Sequence, residues 1–200
     1  MNKMDVQHLL IYAIVWLFVF LAAIFFFVSK KHSSVNVRLL LLYVLLMAML
    51  GPIGEISVGA FYNSVFGHPL WLYKVLPTHE GYTSYYAPVI WGIAGAGLYF
   101  AREILGLLKT RRRFVQALFI MLETILFESL LNISFLLFTG GYLFYYTPGD
   151  LFHITSLQTL PFYFIFGFVV MDFIKQLKKD PLLNATMFAL IMFVVVFLTH

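Results

Sequence analysis

An all-α, polytopic bundle embedded in a membrane is the fold class predicted for this 200-residue chain, and three observations predict it. The composition is 62% hydrophobic and 19% aromatic with only 11% charged residues, and the mean hydropathy of +0.92 lies well above that of soluble domains. Apolar stretches of about 20 residues, the length that crosses roughly 30 Å of hydrocarbon, recur along the chain. Positive charge is also sorted: of 13 Lys and Arg, three, five and three fall in alternate short connectors, 11 in all. Six spans are expected, at about 8–29, 38–62, 84–107, 114–138, 157–176 and 181–199, forming a single transmembrane domain over 1–200.

The first stretch, Leu9 to Val28, is longer than the apolar region of a signal peptide, and its cations Lys30 and Lys31 follow it. It is therefore expected to stay as a span. The second span carries the segment GPIGEISVG, Gly51 to Gly59, in which Glu55 has Gly51 and Gly59 at i−4 and i+4 on one helix face. Glycine there leaves room beside the carboxyl group. An ionisable group at membrane depth costs roughly 3 kcal/mol on insertion scales, so it is normally kept facing a cavity or a partner. The bland counterpart is a packing contact, with the acid bonding across a close helix interface.

The connector that follows, GHPLWLYKVLPTHEGYTSYYAP, gathers Trp71, Tyr73, Tyr82, Tyr85 and Tyr86 around His68, His79, Glu80, Thr83 and Ser84. Aromatics there have an ordinary role as an interfacial belt, whereas histidine titrates near neutral pH and can act as acid, base or ligand. In the third span, Gly92 to Gly97 reads GIAGAG and suits close packing, within the protein or between copies.

The fourth span reads ETILFESLLNISF, and Thr124, Glu128 and Asn132 recur every four residues as one polar stripe expected to face the interior. Glu123 lies about 140° from Glu128 around the helix at 100° per residue, so the two carboxyls cannot share a face. The next connector, GGYLFYYTPGDLFHITSLQTLP, has the same character, with Asp150, His153, Thr155, Ser156 and Gln158. Glu103 and Asp172 sit near basic residues and are expected in interfacial ion pairs.

A constant offset of 73 residues superposes Glu55 on Glu128, Gly67 on Gly140, Leu70 on Leu143, Tyr73 on Tyr146 and Pro88 on Pro161, with Trp71 on Phe144 and Thr83 on Ser156 as conservative matches. The chain thus carries a candidate parallel internal repeat, spans two and three on spans four and five.

Short loops rich in Lys and Arg stay in the cytoplasm. Lys30, Lys31 and Arg38, then Arg102, Lys109 and Arg111 to Arg113, then Lys175, Lys178 and Lys179 mark that side, and the alternate connectors hold only Lys74. Both termini are then expected on the non-cytoplasmic side of a plasma (inner) membrane. The cations act as topology anchors, so the pI near 9.2 gives no reason to expect nucleic acid, and anionic headgroups are the expected partners of the arginine run.

Absent cysteine excludes thiolate catalysis and zinc-thiolate sites. Paired His boxes, HExxH, a Gly-rich phosphate cradle and GxSxG are all missing, and no His falls well within a span, which argues against a bis-His haem. No metal is expected, and the sequence names no cofactor.

Two acids at one depth in an apolar chamber can divide the roles of proton donor and conjugate base. The expected function is a membrane enzyme acting on a membrane-dissolved lipid or isoprenoid by acid/base chemistry in an outward-facing pocket. Glu55 is the donor or base, Glu128 its partner and His79 the relay, while Asn132, Trp71, Tyr73, His68, His153, Thr83 and Ser84 surround the hydrophobic small-molecule substrate. An acid in a small bundle before an aromatic connector is similar, in general arrangement only, to membrane enzymes that protonate isoprenoids. The alternatives are a small transport or ligand-binding subunit, in which the same acids hold a cation or proton, and a scaffold subunit of a larger complex.

Overall fold

The computed structural model describes residues 35–108 and 112–198. The expected span at 8–29, Lys30, Lys31, Lys109, Arg111 and both chain ends lie outside the described residues. Helix α1 runs Val37–Phe66, where 38–62 was expected; the Asn36 side chain caps its start by accepting from the Leu39 N–H at 3.1 Å, and Gly67, at φ 74°, ends it by returning its N–H to the Asn63 carbonyl. Helix α2, Ala87–Tyr99, opens with Pro88 in its first turn, where the missing N–H costs nothing, and widens into a π-helical turn over Phe100–Ile104. Helix α3 is Arg113–Thr139, stopped by Gly140 at φ 71°. A 3-10 turn, Leu157–Thr159, leads into α4, Leu160–Leu177, and α5 follows over Pro181–Leu198.

Among the described residues three helical segments are long and apolar enough to cross a membrane: Val37–Phe66, Arg113–Thr139 and Leu157–Leu177, with hydropathies of 2.1, 1.8 and 1.7. The chain is a helical membrane protein on that ground. Helices pack as two hairpins, α1 on α2 and α3 on α4, with α5 against α1. Glycine sets both crossings. A Cβ on Gly95 of α2 would strike the Tyr43 carbonyl and Met47 of α1, and one on Gly167 of α4 would lie 2.8 Å from Ala117 Cα of α3. The GIAGAG stretch thus serves contact inside the protein.

The aromatic connectors are folded and not simple loops. Strand β1 (Trp71–Tyr73) pairs antiparallel with β4 (Phe144–Tyr146), in the register Trp71 to Tyr146, Leu72 to Tyr145 and Tyr73 to Phe144. Within the first connector, β2 (Thr78–His79) pairs with β3 (Thr83–Ser84). The β1–β4 ribbon joins the two hairpins at one end. At the other end Glu103 accepts from Lys178 at 2.5 Å and from the Tyr43 hydroxyl at 2.6 Å, with Arg102 at 3.6 Å, while Arg113 pairs with Asp172 at 3.5 Å. Both acids expected in ion pairs are found in them.

Candidate functional site

Glu55 is buried, 8% exposed, and its carboxyl group is enclosed by donors from three places in the chain. Tyr73 Oη, from β1, donates to Oε1 at 2.6 Å; Trp91 Nε1, from α2, donates to the same oxygen at 2.9 Å; Thr83 Oγ1, from β3, donates to Oε2. Trp91 can only donate, so Oε1 is an acceptor. The glycines beside Glu55 make this possible in a way the sequence did not disclose. The space over Gly51 is filled by the Trp91 ring, and that over Gly59 by Tyr82, whose Cδ1 lies 2.7 Å from where a Cβ would stand. What reads as open room is occupied by aromatic side chains, one of which bonds the acid.

Glu128, 9% exposed on α3, has a parallel arrangement. Tyr146 Oη, from β4, donates to Oε2 at 2.9 Å, Tyr163 Oη, from α4, donates to Oε1, and the two phenol oxygens are 3.2 Å apart. Burial, followed by the nearby carboxylates, pushes the pKa of the Tyr73 phenol up well above 10, and burial does the same for Tyr146. Both phenols stay protonated and act as donors at any physiological pH. Charge on Glu128 also reaches Tyr73, and charge on Glu55 reaches Tyr146, so the two acids belong to one electrostatic region.

The other expected site residues divide. Asn132, 0% exposed, is fully engaged with backbone: Nδ2 donates to the Phe144 and Ile154 carbonyls at 2.8 and 2.9 Å, and Oδ1 accepts from the Leu143 N–H at 3.0 Å. It clamps the second connector onto α3. Ser84 likewise donates to the Pro77 carbonyl at 3.2 Å and accepts from the Tyr86 N–H at 3.3 Å. His79 is exposed in β2, across from Thr83, and His68 is exposed with its ring 5.6 Å from that of Tyr62. His153 stacks on Tyr145 at 4.2 Å, and its Nδ1 lies 2.6 Å from the Tyr146 carbonyl. Thr83, Tyr73 and Trp71 are therefore brought to Glu55, and the three histidines stand outside that shell. Glu123, on the far side of α3, faces Gly97 of α2.

A cleft reaches Glu55 from the side, between α1 and α4. Gly51, Gly54 and Val58 of α1 form one wall, Phe162, Tyr163 and Phe166 of α4 the other, and Trp71 and Trp91 close the back. It offers about 30 Å3, space for two or three waters at ~10–15 Å3 each. Its mouth lies where Gly54, Val58, Phe162 and Phe166 are half-buried, on the flank of the bundle. Trp91 and Tyr163 are the residues bonded to the two acids that sequence reasoning missed; both sit in apolar stretches of their helices, and only their contacts across the bundle set them apart. A second cleft, lined by Arg113, Asp172, Lys175, Gln176 and Lys179, shares no residue with the first.

The indole and hydroxyl groups around the two acids donate hydrogen bonds to both oxygens of each carboxyl group. Among the described residues no three His, Asp or Glu converge as metal ligands would. No protein-family model, curated protein or solved structure matches this chain.

Proposed function

We propose that this protein is a membrane enzyme that adds a proton to, and removes one from, an apolar unsaturated substrate dissolved in the bilayer, an isoprenoid being the natural class. The observation that carries the reading is the cleft: a buried carboxyl group and aromatic side chains line it together, and its mouth lies on the flank of α1 and α4. Glu55, protonated at Oε2 with the Thr83 hydroxyl turned to accept from it, gives its proton to a carbon of a C=C bond, whose π electrons form the new C–H bond. The neighbouring carbon becomes cationic, and the faces of Trp71, Trp91, Phe162 and Phe166 favour that charge. Loss of a proton from an adjacent carbon re-forms a C=C bond in a new position or after ring closure, so the atoms balance with no oxidant. Transport is the less favoured alternative, because the polar cleft among Arg113, Asp172 and Lys175 has no lining residue in common with the Glu55 cleft.

The same reading includes a six-span topology in the plasma membrane with both termini non-cytoplasmic, and a parallel duplication at the 73-residue offset. Supporting the duplication, the ends of α1 and α3 (Phe66 and Thr139), the strands 71–73 and 144–146, and the starts of α2 and α4 (Ala87 and Leu160) all fall in that one frame. Tyr73 bonds Glu55 as Tyr146 bonds Glu128, and the β1–β4 register pairs Leu72 with its own counterpart Tyr145, as a two-fold axis requires.

The test uses membranes from a host producing the wild type or Glu55→Gln, incubated in D2O, with the membrane lipids extracted and read by mass spectrometry. Wild-type membranes should place deuterium in an unsaturated lipid, and Glu55→Gln, folded in detergent to the same melting point, should reduce that label at least tenfold. Equal labelling in the two overturns the proposal.

A further inference from the structure

We infer that the second proton-handling group of this site is the Tyr163 phenol, and that Glu128 and Tyr146 are positioning residues acting through it. The inference rests on the acid/base reading above and changes its cast, since the two carboxyls were expected to work on one another directly. Tyr163 lines the cleft together with Glu55, and neither Glu128 nor Tyr146 is among the lining residues. Glu55 stands on α1 and Tyr163 on α4, so the two groups reach the cleft from different helices. From the cleft wall Tyr163 Oη donates to Glu128 Oε1, while Tyr146 holds the other carboxylate oxygen at 2.9 Å and lies 3.2 Å from the Tyr163 oxygen. The phenol thus has a fixed acceptor for its own proton at the moment it takes one from substrate.

The transfers balance. Glu55 delivers one proton to the C=C bond; the C–H electrons of the adjacent carbon become the new π bond as its proton goes to Tyr163 Oη, whose original proton passes to Glu128. One turnover leaves Glu55 with a proton fewer and Glu128 with a proton more. Return from Glu128 through Tyr163 and water in the emptied cleft, which has room for about two or three molecules, restores both.

Two measurements decide it. In detergent, tetranitromethane, a lipid-soluble reagent that replaces a ring hydrogen of tyrosine by a nitro group, should modify Tyr163 at least tenfold faster than Tyr73 or Tyr146, and Gly54→Leu, which fills the mouth, should suppress that reaction. Nitration of Tyr146 or Tyr73 as fast as that of Tyr163 overturns the inference. In the D2O assay on host membrane lipids, Tyr163→Phe should still let Glu55 exchange deuterium into substrate but form at least tenfold less rearranged product. Glu128→Gln should lower product and move its pH profile, and Glu128→Asp should restore part of it. Product formation by Tyr163→Phe equal to wild type overturns the inference while leaving the role of Glu55 intact; if wild-type membranes label no lipid at all, the enzyme reading falls and the nitration pattern alone still decides which phenol faces the cleft.

Discussion

Replacing Gly51 and Gly54 one at a time by alanine separates a site built on an aromatic ring from one built on open space. At Gly51 the new Cβ would stand inside the Trp91 ring, so the ring must leave, and with it the 2.9 Å bond to Glu55 Oε1. Forcing a methyl group into a packed interior costs about 1–3 kcal/mol, and stripping a buried acceptor of a donor costs about 1–3 kcal/mol more. Alanine returns about 1 kcal/mol of helix propensity. The net loss is then about 3 kcal/mol, roughly two decades in the ratio of folded to unfolded protein. At Gly54 the nearest atoms to a new Cβ are Phe166 Cε2 and Cδ2 at 3.8 and 3.9 Å, ordinary contact, so the same change should be neutral or stabilise by up to about 1 kcal/mol. Unfolding in mixed micelles of rising dodecyl sulfate fraction, followed by tryptophan emission, measures both, and the emission of Gly51→Ala should itself shift as Trp91 moves. Equal unfolding midpoints for the two variants would refute the reasoning, because nothing but the position of Trp91 distinguishes them.

Other perturbations test the connectors. Asn132→Ala removes partners from the Leu143 N–H and the Phe144 and Ile154 carbonyls, and at about 1 kcal/mol for each bond the loss is about 3 kcal/mol. Hydrogen exchange should show the Leu143 amide losing its protection, and an unchanged amide would dismiss the clamp. Alkaline pH should also unfold the protein: Tyr73 and Tyr146 keep protons when folded that the unfolded chain, with pKa 10.0, gives up. Their contribution is constant below pH 10 and falls above it by about 1.4 kcal/mol per pH unit for each tyrosine. Tyr73→Phe should make that decline shallower by one proton, and an unaltered slope would mean that its phenol is not held protonated.

Much of the helical architecture is legible in the sequence because it depends on local properties. The expected spans 38–62, 114–138, 157–176 and 181–199 each lie within a few residues of an observed helix, since apolar length and the stops at Gly67 and Gly140 are written into neighbouring residues. Three segments meet the requirement for crossing a membrane, while α2 breaks into a π-helical turn at Phe100, where no proline or glycine announces it. Of the site, the acids stand out because charge is rare in such a chain, and Tyr73 and Thr83 because they are polar in an aromatic connector. Trp91 and Tyr163 were hidden for a complementary reason. A tryptophan and a tyrosine in apolar helices look like filling, and only the pairing of Trp91 with the gap at Gly51, 40 residues earlier, makes it a donor. The histidines stand apart from the acids: the hairpin at Thr78–Ser84 turns Thr83 inward to Glu55 and leaves His79 exposed.

The proposed 73-residue duplication gives a reason why Glu55 lines a cleft and Glu128 does not. In the 73-residue frame Gly51 corresponds to Thr124, Gly54 to Phe127 and Gly59 to Asn132. Around Glu55, three glycines admit the rings of Trp91 and Tyr82 and leave a mouth beside Phe166. Around Glu128, the same positions carry side chains: Asn132 is spent on the backbone of the connector, and the counterpart of Trp91 is Phe164, which has no hydrogen to donate. Glu128 takes its second donor from Tyr163 instead, one residue earlier on α4, and that tyrosine closes the wall of the Glu55 cleft. Two equivalent acids would give two equivalent half-sites. On the proposed duplication, side chains stand where Glu55 has glycines, so Glu128 is bonded by Tyr146 and Tyr163 and does not line the cleft, whereas Glu55 and Tyr163 do.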